Sequence, residues 1–217
     1  MKTQMLTLMF LLAMACCPAQ TLNLRIGPTI SSFERKTSTG SSNPYDKNLV
    51  GFDIMVGYDY LDFRYFNLSS NLGYIQKGGA ASVLWLNSPG PEEVMLKDAK
   101  TKLNFITVNT LFEGKIPVMK FMDPFVHAGP RLDYLVSYSE SVSYLSLYEG
   151  IGQLHKYIYG LVVGGGVDFK IKRLKMGIVF DYCWNFNNLV DHTASSGTRV
   201  RVSDNTFSLD FQVGYKF

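Results

Sequence analysis

After residue 20 the chain holds no uninterrupted apolar run near the roughly 18 residues that a membrane-spanning helix needs. It nevertheless alternates apolar and polar residues with period 2, segment after segment, and period 2 is the repeat of a strand whose successive side chains point to opposite faces. The last thirteen residues, NTFSLDFQVGYKF, show this most cleanly. Phe207, Leu209, Phe211, Val213, Tyr215 and Phe217 share one side; Ser208, Asp210, Gln212, Gly214 and Lys216 share the other. Eight segments of this kind are expected: Leu22 to Phe33, Leu49 to Tyr60, Arg64 to Lys77, Lys102 to Gly114, Pro124 to Ser137, Tyr157 to Lys170, Lys175 to Asn187 and Asn205 to Phe217. Each is 12 to 14 residues long, and a tilted strand crosses a bilayer in about 9–11.

The connections alternate as well. Glu34–Asn48, Gly78–Thr101, Tyr138–Lys156 and Asn188–Asp204 are long, whereas Leu61–Phe63, Lys115–Asp123 and Ile171–Leu174 are short. An up-and-down sheet puts odd connections at one end and even ones at the other. This predicts an all-β, eight-stranded antiparallel up-and-down transmembrane β-barrel with short periplasmic turns and four longer extracellular loops.

Alternation alone leaves open which face points inward. A soluble lipocalin-like barrel would bury the apolar face around a ligand. Here the apolar face is bulky and aromatic, the opposite face small or polar, and an eight-stranded barrel is only just wide enough for its own side chains. The apolar face is therefore expected to meet lipid, with aromatics near strand ends as interfacial girdles. The inward face then carries Arg25, Asp53, Lys77, Arg131, Asp133, Asp168, Lys170, Asp181, Asp210 and Lys216. Both signs are present, so a paired polar plug is expected, against the alternative of an ion or proton path. Segment four is irregular: Leu103 and Phe105 alternate in one phase, Ile106, Val108, Thr110 and Phe112 in the other, which calls for a bulge or another register. Pro28 and Pro130 each follow a glycine inside a strand, where a ladder donor is lost, and read as a weakened seam or as a local kink or bulge.

MKTQMLTLMFLLAMACCPAQ has one cation, an apolar run and small residues, the pattern of a secretory signal peptide. Residues 1–19 are assigned to it and 20–217 to the barrel, with lipoprotein processing at Cys16 as the alternative. Losing Lys2 takes the formal charge from +3 to +2, and no basic block exists, so nucleic acid is excluded as a partner. Cys183 alone would remain, which excludes an internal disulfide framework and a cysteine metal cluster. No catalytic, cofactor-binding or metal-ligating residue is assigned.

Four stretches in order resemble the PorT-type small outer-membrane β-barrel family of Bacteroidetes: NLGYIQKGG at 71–79, PFVHAGPRLDYL at 124–135, GLVVGGGVDFK at 160–170 and DYCWNFNNL at 181–189. Segment four departs, with VNTLFEGK at 108–115 where the family has a Pro-Leu-Leu-Leu-Lys-like run. The resemblance implies localisation in a bacterial outer membrane, with outer-membrane lipid and the barrel-assembly machinery as partners. It implies that Phe211, Val213, Tyr215 and Phe217 resemble the assembly signal, Phe217 being otherwise a girdle residue, and that an accessory role in envelope secretion is open.

The expected function is structural or interactive, through surface loops that meet an unidentified extracellular or envelope partner. Val83, Trp85 and Leu86 are the contact candidates, in a loop unusually apolar for its position; they extend a hairpin beyond the membrane or form a contact surface for a partner or glycan, against the alternative that they pack onto the barrel mouth or sit at the lipid interface. The alternative is a lipid acyltransferase or deacylase at the rim, built from His155 with Ser139, Glu140, Ser141, Ser143, Ser146 and Glu149, or from His192 with Asp191, Ser195 and Ser196. His127 is expected inward, in the plug.

Overall fold

The computed structural model describes residues 20–38, 46–86, 94–119, 121–140, 154–193 and 198–217. Residues 1–19, with the expected signal peptide and Cys16, lie outside the described residues, as do Ser141, Ser143, Ser146, Glu149, Ser195 and Ser196.

Nine strands form one antiparallel sheet: β1 (Thr21–Thr37), β2 (Lys47–Asp62), β3 (Phe66–Leu86), β4 (Val94–Lys115), β5 (Met122–Glu140), β6 (Tyr157–Ile171), β7 (Leu174–Asn185), β8 (Val190–Thr193) and β9 (Arg199–Lys216). Their order is β1-β2-β3-β4-β5-β6-β7-β9-β8, and β1 pairs with β9. Eight strands thus close a barrel, which leaves the wall no free edge. The short β8 lies outside the ring, paired with the far part of β9 from Val190↔Val202 to Thr193↔Arg199, where β7 has ended. No described helix is long and apolar enough to cross a membrane.

The outer wall is apolar over its whole circumference. Leu24, Ile26 and Ile30 of β1, Phe52 and Val56 of β2, Leu72 of β3, Val108 and Phe112 of β4, Leu132 of β5, Val163 of β6, Phe180 of β7 and Leu209 and Phe211 of β9 are all exposed. A continuous band of this size has no soluble solution, and it removes the ligand-cavity reading. Rings cluster at both ends of the band: Phe63 and Phe66 are 4.6 Å apart at one end, and Tyr134 and Tyr157 are 5.2 Å apart at the other.

At one end the connections are residues 63–65, 116–121 and the two-residue turn Lys172-Arg173, with Lys172 at φ 57°. At the other end the strands overshoot the expected limits. The hairpin extension open in the sequence within Gly78–Thr101 is present: β3 and β4 stay paired from Phe66↔Gly114 to Leu86↔Val94, so Gly78–Leu86 and Val94–Thr101 are strand, and residues 87–93 lie outside the described residues. Among the described residues β2 pairs with β3 as far as Ala80 and β5 with β4 as far as Thr101, and the Ser82 amide donates to Asp46 Oδ1 at 2.9 Å, so the described tip of this hairpin extends beyond both neighbours. Val83, Trp85 and Leu86 belong to β3, opposite Lys97, Met95 and Val94.

Segment four keeps its phase. Leu103, Phe105, Thr107, Asn109, Leu111 and Glu113 all point inward, and Ile106, Val108 and Phe112 outward. The irregularity is on β5: Asn104 pairs with Ser137 but Phe105 with Leu135, leaving Val136 over. Pro28 and Pro130 produce no bulge. The β1–β9 register is the same on both sides of Gly27-Pro28 (Ile26↔Phe211, Thr29↔Ser208), and the β4–β5 register is the same on both sides of Gly129-Pro130 (Asn109↔Arg131, Phe112↔Ala128). Each proline interrupts a ladder without shifting it.

Candidate functional site

Period 2 brings one side chain in two from every strand to the barrel axis, and there the structure builds a three-tier plug. Nearest the turns, Lys175 of β7 lies 2.9 Å from Asp168 of β6 and 3.5 Å from Asp59 of β2, and Asn23 donates to Asp59 at 2.7 Å. Lys115 contacts Asp62 at 2.5 Å. In the middle tier Asp181 of β7 takes a 2.5 Å contact from His127 Nε2 of β5 and lies 3.8 Å from Arg25 Nη1 of β1. Gly164 of β6 makes room for that pair, since a Cβ there would strike Asp181 Oδ1 and His127 Nε2. Asp53 faces Gly27 across the β1–β2 ladder, and Asp210 packs against the same glycine from β9.

The third tier is the most tightly bonded. Lys77 of β3, with 0% exposure, lies 2.7 Å from Asp133 of β5 and 3.2 Å from Asp204 of β9. Thr107 donates to Asp133 at 2.7 Å, and Arg131 lies 3.2 Å from it. Asn185 accepts from Arg131 and donates to Asp204 at 2.6 Å. Above these ions, toward the long hairpin, an apolar layer covers the axis: Phe33, Ile75, Leu103, Phe105, Ile158, Leu189 and Val190, with Leu135, Leu154 and Val202 packed against it. The Phe105 ring centre is 5.3 Å from Lys77 Nζ, a cation–π contact that ties the lid to the ions.

Charges this dry are strongly unfavourable unless paired, and nearly all of these are. Asp53 and Asp210 are the exceptions among the described charges: no described cation pairs with either, and the Ser208 hydroxyl donates to Asp210 at 3.4 Å. What the arrangement can do is close the barrel. A conducting lumen exposes its lining, whereas Thr107, Asp133, Gln212 and Phe105 are all fully buried along this axis.

Of the ten interior charges expected from the sequence, eight lie in the plug: Arg25, Asp53, Lys77, Arg131, Asp133, Asp168, Asp181 and Asp210. Lys170 and Lys216 do not. Their side chains are 40% and 45% exposed at the turn-end rim, where they meet Asp123 and Asp62; the inward phase carries them past the last tier. Period 2 also marked Asp59, Lys115, Lys175 and Asp204, which sequence reasoning left out because they fall at or beyond the expected strand ends. The apolar lid was missed because its residues come one or two at a time from several elements. At the other rim, His155 Nδ1 bonds the carbonyl of Asn188 at 3.0 Å, and Asp191 is held by Arg199 at 2.8 and 2.9 Å. Among the described residues neither His155 nor Asp191 is bonded to a serine, and Ser141, Ser143, Ser146, Ser195 and Ser196 lie outside them. Phe211, Val213, Tyr215 and Phe217 lie exposed on the outer wall.

No curated protein matches the chain. The outer membrane protein OprG from Pseudomonas aeruginosa is similar in structure, at 12% identity and TM-score 0.57, with 92% of this chain and 97% of that chain covered. Neisserial surface protein A (NspA) shares 13% identity at TM-score 0.48, covering 90% and 97%. Ail, the attachment invasion locus protein of Yersinia pestis, shares 18% at TM-score 0.40, covering 91% and 98%. At these identities the likeness concerns the fold alone. A family model described as outer membrane protein beta-barrel domain matches residues 19–191, and the chain, a closed eight-stranded outer-membrane β-barrel, belongs to that family.

Proposed function

We propose that this protein is a sealed membrane anchor, a barrel that transports nothing and holds an extracellular contact element for an envelope or extracellular partner. The observation that carries this reading is the lid-covered ionic plug next to a hairpin whose tip overshoots its neighbours. A pore needs the opposite arrangement, a hydrated lumen under a mobile loop. Val83, Trp85 and Leu86 sit on that tip, in the stretch of β3 beyond its pairing with β2, where an added strand would meet an edge that no other described strand takes.

The resemblance to PorT-type barrels of Bacteroidetes makes an accessory role in envelope secretion one form of this function, with the partner then a component of a secretion assembly. The outward row Phe211, Val213, Tyr215 and Phe217 is proposed as the segment that the barrel-assembly machinery reads during insertion. A photo-crosslinking residue placed in intact cells at position 83, 85 or 86 should give discrete protein adducts. The same residue at Leu132 on the lipid-facing wall should give none. Equal labelling from both sets, or none from the tip, removes the contact role.

A further inference from the structure

The described cations at the turn end differ in their partners, Arg64 lying over the Tyr65 ring at 5.4 Å. Those directed to the barrel mouth meet carboxylates, as Lys115 and Lys216 do with Asp62 at 2.5 and 2.8 Å. On the lipid side, Arg173 Nη1 instead lies 3.4 Å from the hydroxyl of Tyr215, an exposed residue of the outer wall. No described ion pair reaches Arg173 or its neighbour Lys172. Lys172 stands at φ 57°, a left-handed conformation that glycine or asparagine takes with less strain. A lysine there projects a second cation from the same two-residue turn. Directly inside this turn the aromatic row begins, with the Tyr215 and Phe217 rings 5.3 Å apart edge to face.

A charge one residue beyond an aromatic girdle is at headgroup depth, and short turns of such barrels face the periplasm. A guanidinium fork with a neighbouring ammonium and a phenol matches a phosphate diester, with bidentate bonds from the arginine. We propose that Lys172, Arg173 and Tyr215 form a phosphate-binding site for an anionic glycerophospholipid of the inner leaflet, whose acyl chains lie along the wall below.

The test uses the full chain refolded in a neutral maltoside detergent and titrated with phosphatidylglycerol or phosphatidylcholine, retained lipids being counted by native mass spectrometry. The Lys172→Gln/Arg173→Gln double variant should need on the order of tenfold more phosphatidylglycerol for the same retention, with phosphatidylcholine unchanged. Lys172→Gly separates charge from backbone strain: it should fold at least as well and still lose part of the preference. Equal phosphatidylglycerol retention by two folded proteins, checked by unboiled gel mobility, overturns the proposal. Displacement of the lipid by millimolar inorganic phosphate also overturns it, by making this a free-anion site. So does binding to purified cell-wall sacculi that needs Lys172 and Arg173 while lipid retention does not.

Discussion

Lys77 is the side chain whose removal the plug should tolerate least, and Lys77→Met keeps its length while deleting its charge. At an effective dielectric constant of about 20, a unit charge pair at the Lys77–Asp133 distance of 2.7 Å gains about 6 kcal/mol, and one at the Lys77–Asp204 distance of 3.2 Å about 5 kcal/mol. Desolvation of each ion offsets several kcal/mol of that. Asp133 would keep Thr107 and Arg131, and Asp204 would keep Asn185 and Thr206 at 3.2 Å. Two buried carboxylates would still face one guanidinium, and breaking a buried pair from one side costs about 3–5 kcal/mol. Equilibrium urea unfolding of the barrel in phospholipid vesicles, followed by tryptophan fluorescence, should show a loss of about 3 kcal/mol or more. Adding Asp133→Asn removes one of the stranded charges and should recover about half. A Lys77→Met variant within about 1 kcal/mol of the parent, at unchanged slope, would refute the claim that this tier is dry and mutually paired.

Other perturbations test other levels. Phe105→Ala opens a cavity in the lid and removes the ring over Lys77; it should cost about 3–5 kcal/mol and speed amide exchange on the inward-facing strands near the hairpin. Gly164→Ala places a Cβ against Asp181 and His127 and should cost about 1–3 kcal/mol in the same unfolding assay, whereas Gly165→Ala, on the lipid side, should cost less. At the exposed rim, the hydrogen bonds from Arg199 hold the Asp191 carboxyl below the usual carboxylate range. Their contribution to β8–β9 pairing is therefore present above the ordinary carboxylate pKa and is lost as the pH falls through the lowered value. Protection from amide exchange in Val190–Thr193, taken relative to the intrinsic rate at each pH, should fall on acidification, and Asp191→Asn should abolish that dependence.

The strands and their faces were legible in the sequence because lipid and plug demand opposite chemistries on alternate residues. β7 shows why: Phe180, Tyr182 and Trp184 alternate with Val179, Asp181 and Cys183, and only one set suits hydrocarbon. Legibility failed where that contrast fades. Beyond Lys77 the chain reads GGAAS, which looks like a turn, yet it continues β3, with the Gly78 amide bonded to Ser31 Oγ at 2.7 Å. Leu103 and Phe105 read as a change of phase because the inward face itself turns apolar near the mouth, a property of five or six segments together. The ionic tiers could be placed on the inward face, but not paired: Lys77 and Asp133 are 56 residues apart and meet only through barrel curvature and stagger.

The sealed axis can be tested directly by electrical recording on the purified barrel in a planar phospholipid bilayer. Insertion should occur with flat current at applied voltage, while Lys77→Met combined with Phe105→Ala should admit ions or show flickering. Steady ohmic steps from the unmodified protein would mean that the plug and its lid do not close the lumen, and that the protein conducts.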